Sequence, residues 1–234
     1  MNENDYQKKL LEWFSENIPS STFSSKLALR YQVGKYFRGK VYGMPDCELD
    51  IVETDAAHNF HLHELKLVKS AEVKSGKFYG QMMLYDFLFR TEPLNELLGR
   101  FLMHGEIVGD EQLIADAILK RETDENTTYA DAEKTEIIDS KASCNFSTWS
   151  LILCGGHGYE IAAGYNPGVW SLFTFAQSYF KDNVPPFMIF HFFESDGKWW
   201  LLPIEDLSVI KHGGLPESVA KQFNADFPDW EYDE

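Results

Sequence analysis

The sequence is poor in cysteine and has no long uncharged apolar run, and these absences exclude several classes of protein. Its three cysteines, Cys47, Cys144 and Cys154, are dispersed, so they form no disulfide framework and no Cys-x-x-Cys motif. They are too few for a four-cysteine iron–sulfur cluster within one chain. No apolar run is long enough to span a membrane, and the N-terminal residues MNENDYQKK lack the apolar segment of a secretory signal. We therefore expect a soluble, cytoplasmic protein with one domain, or one core with an elaboration.

Basic residues are scarce as well. The chain has 21 Lys and Arg against 37 Asp and Glu, a formal net charge of −16. Such a charge repels a phosphate backbone and argues against nucleic-acid binding. However, residues 1–90 hold 12 basic and 12 acidic residues, so the whole negative charge belongs to residues 91–234. Because residues 26–40 contain five basic residues and no acidic one, the first part of the chain can still present a basic surface.

A pair of apolar stretches carries the charged residues that point most directly to function. Asp50 ends the first stretch, and the second, residues 61–67, carries Glu64 and Lys66. Side chains at positions i and i+2 of a strand share one face, so Glu64 and Lys66 are predicted to lie together, with His61 and His63 packing on the opposite face. An exposed edge strand could also carry such a pair, but the leucines around Glu64 favour a buried strand. Two carboxylates and an ammonium can hold a divalent cation and a water against a phosphodiester.

A helical segment follows, and it carries a glutamine and a tyrosine on one face. Gln81 and Tyr85 are four positions apart in GKFYGQMMLYDFLF, so they are neighbours on one side of the predicted helix. Tyr85 is equally compatible with a core aromatic residue whose hydroxyl lies at the rim. Gln81 needs hydrogen-bond partners if its amide is buried.

At these residues the sequence resembles the PD-(D/E)xK nuclease superfamily, and within it the RecB-like and restriction-endonuclease-like branches that add a Gln-x-x-x-Tyr motif. The resemblance covers roughly residues 5–90, and the proline of the name pattern is displaced because Leu49 precedes Asp50. The matching residues are Asp50, Glu64-Leu65-Lys66, Gln81 and Tyr85.

The resemblance implies an α/β fold with a restriction-endonuclease-like core, in which helices flank a central mixed β-sheet. Residues 1–121 would form this core, and residues 122–145 an acidic loop or insertion. Residues 146–234 would form an acidic α+β elaboration continuous with the core. Its strands, at residues 149–154, 187–193 and 198–204, could extend the sheet or form an accessory one. Further elements are predicted at residues 97–102, 111–120, 159–163, 169–180 and 217–223, with an Asp-Gly turn at residues 195–197.

The resemblance also implies a metal-dependent nuclease that hydrolyses phosphodiester bonds, with DNA as the expected substrate. Asp50, Glu64 and the carbonyl of Leu65 would bind Mg²⁺ or Mn²⁺, and Lys66 would act on the attacking water. A first-helix glutamate would assist, for which Glu12 is preferred over Glu16. Gln81 and Tyr85 would lie near the active site. The residues expected to bind nucleic acid are basic: Lys35, Arg38, Lys69, Lys74 and Lys77.

A second hypothesis is a catalytically silent binding protein on the same fold. Its acidic half would mimic nucleic acid or contact a basic protein partner. A third is that the acidity reflects solubility or a saline habitat. The sequence leaves open DNA versus RNA, endo- versus exonuclease action, and whether the protein is a homodimer, as many enzymes of this fold are.

Overall fold

In the computed structural model, the chain forms a seven-stranded β-sheet with flanking helices. The structure describes residues 1–29, 36–37, 40–41, 47–75, 77–91, 94–104, 106–132, 147–155 and 187–203. The helices in these ranges are α1 (Glu3–Asn17), α2 (Ala71–Ser75), α3 (Lys77–Thr91), α4 (Leu94–His104) and α5 (Glu111–Ala132). The strands are β1 (Thr22–Leu29), β2 (Tyr36–Phe37), β3 (Lys40–Val41), β4 (Cys47–Thr54), β5 (Phe60–Leu67), β6 (Glu106–Val108), β7 (Thr148–Cys154), β8 (Phe187–Ser195) and β9 (Lys198–Pro203).

The sheet is mixed and has the strand order β6-β1-β4-β5-β7-β8-β9, while β2 and β3 pair separately. Its antiparallel pairs include β1 with β4 and β6, β4 with β5, and β8 with β9. β5 and β7 run parallel, because the amide of Ser147 donates to the carbonyl of Phe60 and the amide of Val68 donates to that of Cys154. The predicted α/β fold with a mixed sheet flanked by helices is confirmed, and the C-terminal strands extend that sheet.

Two compact units make up the chain. The first unit contains Phe14–Glu64 and Tyr79–Trp149, and the second contains Met1–Trp13, Leu65–Phe78 and Ser150–Glu234. The boundaries fall within α1, β5, α3 and β7, so each of these elements contributes residues to both units.

In the first unit, aromatic side chains cover both faces of β5. Phe14 of α1 stacks on Phe23 of β1 with ring centres 4.5 Å apart, and its ring centre lies 5.3 Å from that of His63. Phe60, which alternation places on the opposite face from His63, packs against Phe89 of α3 at 5.1 Å. Burial of these rings removes a large apolar area from water and fixes α1 and α3 on opposite faces.

In the second unit, aromatic residues of α1 pack on the β8–β9 hairpin. Phe192 stacks on Trp199 with 4.9 Å between ring centres, and Tyr6 meets the same indole edge-on at 6.0 Å. The indole N–H of Trp13 donates to the carbonyl of Trp199 at 3.2 Å. This bond satisfies one backbone carbonyl of β9.

Residues 122–145 were predicted as an acidic loop or insertion. They are helical up to Ala132, so the loop alternative is wrong for that part, and the insertion alternative stays a prediction. α5 continues to Ala132, and residues 133–146 lie outside the described ranges. The acidic composition suggested a loop, but residues 110–132 contain no glycine or proline that would end a helix.

Other local predictions have mixed outcomes. The strands predicted at residues 149–154, 187–193 and 198–204 and the helix at residues 97–102 are confirmed as β7, β8, β9 and α4. Asp50 lies inside β4 instead of ending it, because the strand continues through the fully buried Ile51 and Val52 to Thr54. The segments 159–163, 169–180 and 217–223 lie outside the described residues. None of the helices in the described part of the chain has the length and apolar character needed to cross a membrane.

Candidate functional site

Two carboxylates, Asp50 and Glu64, occupy the positions that follow the last pair of the β4–β5 ladder in the first unit. The pairs of the β4–β5 ladder run from Thr54 with Phe60 to Ile51 with His63. Asp50 and Glu64 are the next residues along the two strands. A regular ladder would place their Cβ atoms roughly 5 Å apart. Continuation of this register would therefore place the two acids predicted from sequence side by side.

Glu64 is among the most buried charged residues of the described chain. Its exposed fraction is 1%, whereas Asp50 is half-buried. A buried carboxylate needs hydrogen bonds, an opposite charge or a bound cation to offset the loss of hydration. Because side chains alternate along a strand, Glu64 shares its face with Phe60, the face that α3 covers. Asp50 supplies the partially accessible half of the pair.

α3 carries the predicted Gln81 and Tyr85 on this side of the first unit. Tyr85 is buried, in a helix face shared with Met82 and Phe89. The side-chain carbonyl oxygen of Gln81 is also buried, and it accepts no hydrogen bond within the described residues. Gln81 and Tyr85 are neighbours at i and i+4, so the tyrosine ring and the amide lie on one side of α3.

Lys66 belongs to the second unit, where two glutamates surround its ammonium group. The Lys66 Nζ lies 3.6 Å from a carboxylate oxygen of Glu72 in α2 and 3.9 Å from one of Glu3 in α1. The Lys66 side chain is buried, and both glutamates are partly exposed. Two carboxylates close to one ammonium restrict its orientation. Leu65, whose carbonyl was predicted as a metal ligand, is fully buried.

Glu3 is the first-helix glutamate that contacts Lys66, and sequence reasoning did not identify it. Glu12 is exposed and forms an ion pair with Lys9 at 2.7 Å on the surface of α1. Its catalytic role stays a prediction. Glu3 lies in the first turn of α1, on the same helix face as Leu10 but two turns before the apolar stripe that directed attention to Glu12. No local pattern marked it, because its contact with Lys66 joins segments that are distant in sequence.

The predicted nucleic-acid-binding lysines are described only in part. Lys69 and Lys77 are exposed, after β5 and at the start of α3 respectively, and Lys74 lies in α2. Lys35 and Arg38 lie outside the described residues. Their role in binding stays a prediction.

A buried hydrogen-bonded network lies on the face of β4 and β5 opposite Glu64. The Glu53 carboxylate accepts from Ser21 Oγ at 2.6 Å and meets His63 Nε2 at 3.0 Å. His61 Nε2 meets Asp55 at 2.9 Å, and its Nδ1 lies 2.7 Å from Thr148 Oγ1. Both histidines are thus packed and hydrogen-bonded on the face that the sequence predicted.

This network holds two carboxyl groups in their charged form. Burial raises the pKa of Glu53, but the hydrogen bond and charge of His63 and the bond from Ser21 outweigh it, so the pKa lies below its ordinary value. Burial also raises the pKa of Asp55, but hydrogen bonds from Asn59 and His61 bring it below its ordinary value. Sequence reasoning missed the network, although Glu53 lies directly opposite His61 in the register.

Among the described residues, no three His, Cys, Asp or Glu side chains are grouped as a metal site. The predicted metal site has only two side chains of this kind, the carboxylates of Asp50 and Glu64. Its third ligand would be the backbone carbonyl of Leu65. Oxygen donors of this kind suit Mg²⁺, which keeps several waters and takes one or two carboxylates from a protein. The carboxylate oxygens of Asp50 and Glu64 are of the type that this ion prefers.

A comparison of the chain with protein-family models, curated proteins and solved structures gave no significant match.

Proposed function

We propose that the protein is a Mg²⁺- or Mn²⁺-dependent nuclease of the PD-(D/E)xK type, with a restriction-endonuclease-like core. The observation that carries the proposal is the position of Asp50 and Glu64, one residue beyond the last pair of the antiparallel β4–β5 ladder, with Glu64 buried. Structural ion pairs use opposite charges, whereas two neighbouring carboxylates repel each other unless a cation or a proton lies between them. A divalent cation satisfies that need.

Asp50 and Glu64 would hold the ion, with the carbonyl of Leu65 as a third oxygen. Bound there, the ion would lower the pKa of a coordinated water and offset charge on the scissile phosphate. Lys66, on the same strand as Glu64, would orient the attacking water and donate a hydrogen bond to it. Glu3 and Glu72 would act as positioning residues for that ammonium. Gln81 and Tyr85 would contact the nucleic acid from α3.

The substrate class we propose is DNA, in defence, restriction or repair. The balanced charge of residues 1–90 supports this, because that part of the chain opposes a phosphate backbone much less than the net charge suggests. The exposed Lys69 and Lys77 lie in the chain between Glu64-Leu65-Lys66 and Gln81, so the sequence places two further cations among the motif residues. We add Lys35, Arg38 and Lys74, on the basis of the sequence, to the residues proposed to bind nucleic acid.

The decisive experiment compares Asp50→Asn, Glu64→Gln and the wild type, with Glu48→Gln as control. Glu48 is an exposed carboxylate on the same strand as Asp50, so its loss changes charge without changing the site. Calorimetry with Mg²⁺ and Mn²⁺ measures binding of the metal, and cleavage of single- and double-stranded DNA and RNA is followed in parallel. We expect each site variant to lose metal affinity and more than about a hundredfold in cleavage rate, and Glu48→Gln to lose neither.

Two outcomes would contradict the proposal. Full cleavage by both Asp50→Asn and Glu64→Gln would show that this pair is not the active site. Nucleic-acid or protein binding without cleavage by the wild type would favour the catalytically silent binding protein, with the acidic half as the surface that contacts a basic partner.

A further inference from the structure

Lys26 has a backbone conformation that its residue type disfavours. Its φ of 57° lies in the left-handed region, although the residue stands inside β1. Left-handed backbone brings Cβ close to the next carbonyl, so it costs free energy for every residue except glycine and is eased by the short polar side chains of Asn and Asp. Lysine has neither advantage. Such strain persists only when the surrounding structure imposes it, and it is concentrated at functional sites.

The strain does not accommodate an inserted residue. Ser25 and Leu27, on either side of Lys26, are paired with β4 in one continuous register. A β-bulge would shift that register by one residue. The left-handed conformation therefore reorients Lys26 alone. Continuation of the same register places the backbone of Lys26 opposite Asp50, the accessible member of the carboxylate pair, whereas the Lys26 ammonium reaches toward β6, on the other side of β1 from β4.

The Lys26 ammonium is held only weakly. Its Nζ lies 3.3 Å from a carboxylate oxygen of Glu106 in β6, and the two side chains are 35% and 63% exposed. Ion pairs with this exposure contribute little to stability, because water and salt screen them. An incoming phosphate can therefore replace Glu106 as the partner of Lys26 at small cost.

We infer that Lys26 is a phosphate-binding residue that contacts the nucleic-acid backbone where it passes from the carboxylate pair over β1 toward β6. This inference rests on the proposed nuclease function and adds a residue that the sequence motif does not contain. A polyanionic strand that approaches Asp50 and Glu64 meets like charge, and a cation at the neighbouring position of β1 offsets that repulsion. Lys26 lies in the first unit with both carboxylates.

The test measures the affinity for single- and double-stranded DNA over a range of salt concentrations, with Ca²⁺ replacing Mg²⁺ to prevent turnover. The variants are Lys26→Gln, Lys26→Arg and Lys26→Gly. Lys9→Gln is the control, since Lys9 also forms an exposed ion pair with a glutamate. We expect Lys26→Gln to bind duplex DNA roughly tenfold more weakly, with a salt slope smaller by about 0.9. Lys26→Arg and Lys9→Gln should bind like the wild type.

Lys26→Gly separates a binding role from a structural one. Glycine removes both the ammonium and the strain, so we expect the affinity to fall as in Lys26→Gln while the Tm rises. This variant also provides the measurement if Lys26→Gln does not fold.

The outcomes distinguish the two proposals. Unchanged affinity and salt slope in Lys26→Gln and Lys26→Gly would overturn the assignment of Lys26, even if Glu64→Gln abolishes cleavage. Weakened DNA binding in these variants, in a protein that never cleaves, would support Lys26 and overturn the nuclease. A wild type that binds no nucleic acid would overturn both.

Discussion

At the scale of single residues, Glu53 shows how the fold sets the ionisation of one side chain. Its pKa is lowered from an ordinary value of 4.5, although burial alone would raise it, because His63 and Ser21 stabilise the carboxylate. The unfolded chain therefore binds the proton more tightly than the folded protein. Glu53 contributes stability above about pH 4.5, and this contribution is lost as the pH falls through the lowered folded pKa.

We predict that Glu53→Gln lowers the free energy of unfolding at pH 7 by about 1–3 kcal/mol, because the hydrogen bonds to His63 and Ser21 are weakened. The decline in stability on the acid side should become shallower but persist, since the pKa of Asp55 is also lowered. Urea unfolding followed from about pH 3 to pH 7 measures both effects. Glu48→Gln on the same strand should alter neither, and an acid decline as steep as in the wild type would contradict the prediction.

Sequence reasoning at this scale identified residues whose chemistry is local and missed those whose geometry is not. Asp50 and Glu64 were recognisable because acidic residues in apolar strands need a reason to be there. Glu3 was not, since its contact with Lys66 depends on where α1 packs. Lys26 was also not recognisable, because no sequence pattern predicts a lysine with a left-handed backbone conformation.

At the scale of elements, the sequence predicted the backbone conformation of the turn between β8 and β9. Asp196 and Gly197 have φ values of 56° and 71°, and two consecutive positive values are those of a type I′ hairpin turn. Asp-Gly is a preferred pair for this turn, so the predicted hairpin is confirmed.

We predict that Gly197→Ala lowers the free energy of unfolding by about 1–2 kcal/mol. A Cβ at Gly197 would meet nothing within 4 Å, so the cost is conformational. Gly80→Ala is the matched control: its Cβ also meets nothing within 4 Å, but the residue is helical and alanine should stabilise α3 by up to about 1 kcal/mol. Chemical denaturation of both variants checks the opposite signs, and a loss of stability in both would point to a steric cause.

The end of α5 shows where prediction of elements fails. An acidic, threonine-rich composition is typical of loops. This segment nevertheless continues as a helix, because it contains no residue that would break one. The lack of glycine and proline over residues 110–132 was the better guide. For strands the continuous apolar runs were sufficient, because strands that are buried on both faces of a sheet require such runs.

At the scale of the whole molecule, the separation of charge along the chain governs association with a polyanion. All of the net charge of −16 belongs to residues 91–234. We predict that Glu122→Gln, Asp124→Asn and Glu125→Gln together raise the affinity for DNA at low salt, and that the gain disappears at high salt. Titrations at two ionic strengths measure this. A gain that persists at high salt would indicate a local steric effect in place of long-range repulsion.

The order of the strands is the other property of the whole molecule, and the sequence left it open. Strands at residues 148–154 and 187–203 could have formed a second sheet, since their apolar patterns specify burial but not a neighbour. Parallel pairing of β7 with β5 decides the matter, and it depends on contacts between segments more than 80 residues apart in the chain. Such pairings follow from the packing of the complete chain.

The turn between β4 and β5 has a consequence for how the carboxylate pair is assembled. Asp55 accepts hydrogen bonds from the backbone amides of Ala57 and Asn59, and Lys120 donates to the Ala57 carbonyl. Asp50 and Glu64 lie at equal distances along the chain from this turn. A hairpin forms through short-range closure, on the microsecond timescale typical of hairpins. The two acids can thus meet early in folding, and a single-residue deletion in the turn would separate them without altering either one.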